Sequence, residues 1–350
     1  MCEPSPSFRP YPRRHLELGF SLIEVLVVVS VLGLLLALSI PAVQASREAA
    51  RRLTCINNLH EIGIALNAHH GVHGRFPSGM RPDGTSRTGD LYAAGPSSTH
   101  AQLLAFIDSG VLFNAINFAG TSFRGPSLSL RPSNETVRKT TVTSFLCPSD
   151  GSLSLGGNNY RACVGSLPYM HDGTPWPGGG GAFPGLKAVS AGDFSDGLSI
   201  TAGFSERLGG SGLKHAFSQP RDLWFSGLEA LGNPESASEV ASACAGLSTT
   251  PPTFYELMGH AWLPAGYENT LYNHVLTPNS RVCDCSTGIY ENSVGQTTGG
   301  AISARSRHPG VVGVLFMDGS TRFIRESIAA QVWSALGTRS GGETINSTDY

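Results

Sequence analysis

The chain has 350 residues, enough for one large domain or two modest ones with a real hydrophobic core. Charged residues make up only 14%, with 43 Gly and 22 Pro, a mix that disfavours a helical bundle and points to a β-rich, loop-rich body. A formal net charge of −2, with no Lys/Arg run interleaved with aromatics, argues against a nucleic-acid partner.

Residues 1–19 are polar and Pro-rich and carry Arg9, Arg13 and Arg14 against Glu3 and Glu17. From Phe20 to Val43 the sequence is apolar apart from Glu24 and a few small polar residues. A helix over that stretch, at about 1.5 Å per residue, reaches about 36 Å and so crosses a hydrocarbon core of about 30 Å. Arginines ahead of the span predict a cytoplasmic N-terminus and an exported C-terminal bulk. Glu24 is costly in such a segment, about 2.5–3.5 kcal/mol near a helix centre, so it is expected to have a partner. Cutting before Phe20 would create an α-amino group, and a neighbouring subunit's amine could then neutralise Glu24. The plainer alternative is a glutamate that snorkels to the interface or is protonated. A secretory signal cut at Val43-Gln44-Ala45, releasing the chain from Ser46, is the competing reading. Against it, Glu24 is foreign to such a stretch, and the helical pattern runs on past Ala45.

Gly19-Phe20-Ser21-Leu22-Ile23-Glu24 followed by a long apolar helix resembles the type IV prepilin and pseudopilin signal. The resemblance implies that Gly19 ends the leader, that Phe20 becomes the N-methylated first residue and that Glu24 is the assembly glutamate. It also makes a prepilin peptidase the processing enzyme. Pro41 falls where pilin helices commonly bend, and a proline inside a helix removes one hydrogen bond. Loss of residues 1–19 would remove Cys2 and leave Cys55, Cys147, Cys163, Cys244, Cys283 and Cys285, an even set compatible with disulfides in an exported chain.

Helical patterning continues after Pro41, with Ala49, Leu53, Ile56, Ile62, Ile64 and Leu66 as its apolar positions, until Gly71, Gly74 and Pro77 stop it. One helix is therefore predicted from Phe20 to about His70, with residues 20–43 in the membrane. His69, His70 and His73 form a compact group, but adjacent histidines face apart and Gly71 breaks the element. Cations favoured at a helix C-terminus explain them better than a metal does. Residues 101–118 read as one or two short helices, and 141–147 as a strand. The Gly/Pro loop at 173–185 lacks the Lys-Ser/Thr ending of a phosphate loop. Residues 235–253 read as an insertion or mobile loop, and 341–350 as a frayed tail. Runs 311–317 and 320–324 flank Asp318-Gly319, a strong hairpin signal because the turn needs positive φ.

His308 precedes Asp318-Gly319 by nine intervening residues. This spacing resembles a bacterial family of prepilin-like proteins with a C-terminal His-x9-Asp-Gly motif, carried as a domain of unknown function. Cys55-Ile56-Asn57-Asn58-Leu59, Phe76-Pro77, Leu146-Cys147-Pro148-Ser149-Asp150, Asn159-Tyr160 and Asp196-Gly197-Leu198-Ser199 with Glu206 resemble its other segments. The stretch 207–300 departs from it, and Cys283-Asp284-Cys285 has no counterpart. Catalysis by His308 and Asp318 would need a nucleophile or metal, and neither G-x-S-x-G nor H-E-x-x-H occurs. The favoured reading is an Asp318-Gly319 turn with His308 bonded into the same hairpin. No cofactor is expected. Calcium at Asp193, Asp196 or Asp318 is the one candidate, without the regular ligand spacing of a known loop. Cys55 with Cys147 is the preferred disulfide. Cys283 and Cys285 are too close to pair comfortably with each other, Cys163 and Cys244 are their candidate partners, and the connectivity stays open.

The fold expected is α+β, a long N-terminal helix, transmembrane and then amphipathic, packed on a mainly antiparallel β domain over 71–350, with the motif hairpin at 308–324. The function expected is that of a non-enzymatic subunit of a pilus or secretion pseudopilus. It would sit in the inner membrane with its body outside the cytoplasm, or in an extracellular filament. Its partners would be prepilin peptidase, assembly machinery, like subunits and the membrane. The alternative is an anchored binding protein, for which exposed Trp176 or Trp262 would speak; an exported enzyme ranks last.

Overall fold

The computed structural model describes residues 21–81, 97–119, 134–151, 156–167, 180–225, 236–247, 254–286, 299–346 and 348–350. Gly19, Phe20 and Trp176 lie outside them. Contacts divide the chain into Met1–Ala49 and Ala50–Tyr350, so the second unit begins inside the first helix.

Helix α1 spans Leu22–His73, close to the length expected. In its first unit the residues up to Arg47 are exposed on every side, among them Leu22, Val29, Leu36 and Ile40. That part is long and apolar enough to cross a membrane. Pro41 lies inside the helix, where it cannot donate to the carbonyl four residues earlier. Glu24 sits in the first turn, and its Oε2 accepts a bond from Ser21 N at 2.9 Å.

In the second unit α1 buries Cys55, Leu59, Ile62 and Leu66, a 4-3-4 spacing that makes one stripe. The stripe differs from the one expected, because Leu53 and Ile64 are 61% and 50% exposed. Gly74, at φ 67°, ends the helix, and its N–H bonds His70 O. His69 Nδ1 lies 2.9 Å from Arg75 O, and the His69 and His73 rings pack tilted with centroids 4.4 Å apart.

The strands are β1 (Met80–Arg81), β2 (Ser97–Ser98), β3 (Tyr160–Cys163), β4 (Ala202–Glu206), β5 (Leu223–Phe225), β6 (Phe254–Tyr255), β7 (Leu271–Tyr272), β8 (Cys285–Ser286), β9 (Gly300–Ala301), β10 (Val311–Phe316) and β11 (Thr321–Arg325). The main sheet has order β11-β10-β4-β3-β7, and a second has order β6-β5-β8-β9. Pairing is antiparallel except for β3 with β7 and β5 with β8. Thus the chain is α+β with mainly antiparallel sheets. Short helices complete it: α2 (Thr99–Leu103), α3 (Gly110–Ala115), α4 (Glu135–Lys139), α5 (Ala237–Ala245) and α6 (Ala330–Leu336).

The helical reading of 101–118 agrees with α2, α3 and the 3-10 turn between them. Residues 141–147 do not form a strand. Thr143–Phe145 is a 3-10 turn whose neighbours offer no sheet partner, so the β preference of Val, Thr and Phe is overridden. Within 235–253, Ala237–Ala245 is helical, capped by Ser236 Oγ on Glu239 N and anchored by buried Val240 and Cys244. The tail is held as well. Asp196 accepts bonds from Gly341 N and Gly342 N, and Arg322 lies over the rings of both Phe316 and Tyr350.

Strand β10 lies between β11 and β4, with Val312, Val314, Leu315 and Phe316 buried. Its turn into β11 follows the expectation. Asp318 Oδ1 accepts from Ser320 N and Oγ, and Gly319 adopts φ 91°. This hairpin packs on α1 without room to spare. A Cβ on Gly63 would stand 2.7 Å from Leu315 Cδ1, and one on Gly319 would stand 2.8 Å from Asn67 Nδ2. Gly319→Ala therefore meets both left-handed backbone strain and crowding at the helix. It is expected to cost about 1–2 kcal/mol, read as a lower denaturant midpoint with an unchanged slope.

Candidate functional site

Four chemically active side chains meet beneath α1. Cys55 comes from the helix stripe. Cys147 follows the 3-10 turn at 143–145, Glu206 ends β4, and His308 lies in the loop before β10. The loop is set by Ser306, whose hydroxyl donates to Val311 O and accepts from His308 N. Gly310, at φ 73°, then feeds the chain into the strand.

Cys55 and Cys147 form a disulfide. His308 Nε2 is 3.2 Å from Glu206 Oε1 and 3.9 Å from Cys147 Sγ. Glu206 Oε2 accepts the Gly313 N–H at 2.7 Å, a close approach that a larger residue would crowd, since a Cβ there would be 3.2 Å from the carboxylate and 3.0 Å from Leu59 Cδ1. All four residues are buried. Tyr160 Oη donates to Cys55 O, and Asn58 Nδ2 donates to Leu146 O across the disulfide. Burial, aided by the Glu206 charge, pushes the Tyr160 phenol well above its ordinary range, so it remains a neutral donor.

The network continues outward. Asn159 Oδ1 takes the Cys147 N–H, and its amide donates to Asp150 Oδ2, which also accepts from Gly209 N. Arg221 Nη2 closes on Asp150 Oδ1 at 2.6 Å. Next to it lies a buried ion triad, in which Asp284 is held by Arg207 at 2.8 Å and by Arg305 at 2.9 Å. Burial alone pushes the Asp284 carboxyl up. The Arg305 and Arg207 guanidiniums, with Ser303, reverse that and hold it below the usual carboxylate range. A second disulfide joins Cys244 to Cys285, while Cys163 and Cys283 are free and buried.

The structure thus gathers Cys55, Cys147, Glu206 and His308, and it places Asp318 and Gly319 elsewhere. A six-residue strand separates His308 from Asp318, about 20 Å of extended chain, so they form no dyad. Within its hairpin the backbone of His308 accepts from Val311 N at 3.4 Å, while its ring turns to another strand. The ring reaches Glu206 on the neighbouring strand and meets Phe323 of β11 edge-on. Asp193, Asp196 and Asp318 serve as caps and turn acceptors for nearby hydroxyls and N–H groups. Trp262 is fully buried and donates to Thr140 O, so it offers no exposed ring for a ligand. Sequence reasoning missed the Arg207–Asp284–Arg305 triad. The available signal was arginine directly after strand-like runs in a chain poor in charge.

Residues 14–40 match the model of the prokaryotic N-terminal methylation motif. Residues 44–331 match the model described as protein of unknown function (DUF1559). No curated protein and no solved structure matches the chain. With most of its length inside one family model and a methylation motif ahead of it, the chain belongs to the DUF1559 family and is a prepilin-type, type IV pilin-like member of it.

Proposed function

We propose that the protein is a non-enzymatic pilin-like subunit, assembled through its N-terminal helix into a pilus or secretion pseudopilus. Prepilin peptidase cuts between Gly19 and Phe20 and methylates the new amine. The subunit waits in the inner membrane as a single-pass protein, with its body on the extracytoplasmic side. Assembly machinery then extracts it, and apolar helices bundle with those of like subunits.

The observation that carries this reading is the first unit of α1. It is a long apolar helix exposed on every side, with one carboxylate in its first turn. Bare in water, such a surface is unstable; bilayer or neighbouring helices would cover it. Among the described residues Glu24 accepts from its own Ser21 N–H. A neighbour's methylated Phe20 amine would give that carboxylate a counter-charge in an apolar medium and fix the axial stagger between subunits.

Mass spectrometry of the mature N-terminus tests the first step, with N-methyl-Phe20 expected; a start at Ser46 sinks the proposal. Glu24→Ala tests the second. Processing and membrane retention should persist while incorporation into sheared filaments falls by about tenfold or more, the effect of an uncompensated intramembrane charge pair. Normal polymerisation of that variant would remove the amine-pairing step.

A further inference from the structure

The side chains around the Cys55–Cys147 bond have a chemistry that holding a helix does not require. A disulfide is served well by apolar neighbours, whereas a buried carboxylate and imidazole bring a desolvation penalty. Glu206 and His308 are nevertheless only 2% and 1% exposed. Among the described residues Glu206 Oε1 accepts no hydrogen bond, although it faces His308 Nε2 at 3.2 Å.

One ligand atom from each of Cys55, Cys147, Glu206 and His308 lies within 4.8 Å of the other three. A tetrahedral zinc ion, with bonds of about 2.3 Å to sulfur and about 2.0–2.1 Å to nitrogen or oxygen, needs ligand separations of about 3.3–3.8 Å. Small side-chain rotations reach that geometry. Two thiolates, an imidazole and a carboxylate form a donor set suited to zinc rather than to calcium or magnesium. The Gly313 N–H holds the far oxygen of Glu206 and aims the near one inward. A cleft of about 590 Å³ has His308, Ser306, Arg307 and Glu326 on its wall, so the group borders open space on its His308 side.

We propose that this node is a thiol-gated zinc site. A dithiol reductant opens the Cys55–Cys147 bond. Two electrons and two protons pass to the cysteine sulfurs, and the reductant becomes a disulfide. Zn²⁺ then replaces the two thiol protons, which leave to solvent, and is held by Cys55, Cys147, His308 and Glu206. Metal and disulfide are alternative ways of pinning α1 to the body. The site does not depend on the filament reading, because its residues all lie within the body.

The test uses the full chain in detergent, with Co²⁺ as the spectroscopic probe and Zn²⁺ as competitor. The reduced chain should bind Co²⁺ with thiolate-to-metal charge transfer in the near ultraviolet and tetrahedral ligand-field bands in the visible, both erased by Zn²⁺. The oxidised chain and Cys55→Ser/Cys147→Ser should show neither. His308→Ala should weaken binding by at least about tenfold, the loss expected for a weakened ligand shell. His308→Cys should restore it with stronger charge transfer, which separates lost ligation from lost folding. Charge-transfer bands that persist in Cys55→Ser/Cys147→Ser would put the metal on other thiols and overturn the proposal. Their absence from the reduced wild type would overturn it equally.

Discussion

Replacing Cys55 and Cys147 together by Ser is expected to lower the stability of the oxidised body by about 4–5 kcal/mol at room temperature. The bond spans a sequence separation of 92, and constraint of the unfolded chain grows with the logarithm of that span. The Cys244–Cys285 bond spans 41, so its removal should cost somewhat less. The larger effect also has a local cause. Without the bond, α1 keeps its apolar stripe and the Tyr160 and Asn58 hydrogen bonds, but loses its covalent tie to the loop that carries Asp150. Denaturant melts under non-reducing conditions should show the difference, and added reductant should bring the wild type down to the double variant or below it. A change under about 1 kcal/mol would mean that packing alone docks the helix, the outcome expected only if the unfolded chain is already constrained.

Asp284→Ala should be about as damaging, at about 3–5 kcal/mol, because it strands two buried guanidiniums. Arg207 follows β4 of the main sheet, and Asp284 leads into β8 of the second; Arg305 lies between β9 and β10. The triad therefore couples the main core to the small one around Trp224, Val240, Cys244 and Leu276. Its other N–H groups donate to the carbonyls of Leu208, Arg221, Ser280 and Val282, so the arginines cannot turn to solvent without breaking loop structure. The expected signature goes beyond a lower melting point. Helix α5 and the second sheet, β6-β5-β8-β9, should become sensitive to proteolysis and hydrogen exchange ahead of the main sheet. Replacing all three with Met or Leu should recover much of the loss, since the penalty comes from uncompensated charge rather than from missing volume. If Asp284→Ala alone is nearly neutral, the pairing energy assigned to the triad is wrong.

Local chemistry decided what the sequence revealed. The span from Phe20 and the turn at Asp318-Gly319 were legible because hydropathy and positive φ act within a few residues. The segment at 141–147 misled, since its β preference is a statement about neighbours that a 3-10 turn lacks. The 235–253 segment looked loop-like from its Ser, Ala and Pro content, while its helix depends on a Ser236 cap and on Cys244 reaching Cys285. The Gly-Gly tail hid its partner Asp196, which lies 145 positions earlier. Glu206 beside His308 was equally invisible: both residues were noted, but only the order β11-β10-β4 brings them together. Resemblance supplied the right residues without their arrangement.

The grip of the last hairpin on the first helix has a consequence for the order in which the molecule takes shape. Leu59, Gly63 and Asn67 are sealed by Gly313, Leu315 and Gly319, so the opening fifth of the chain is completed by its closing fifth. Until the residues after 308 emerge from the ribosome, the stripe on α1 lacks part of its cover, and β4 lacks the strand that protects its edge. Such contacts, among the most distant in sequence, make for slow closure and a long-lived, sticky half-made state. A body of this topology would lock only once the residues after 308 are available to it.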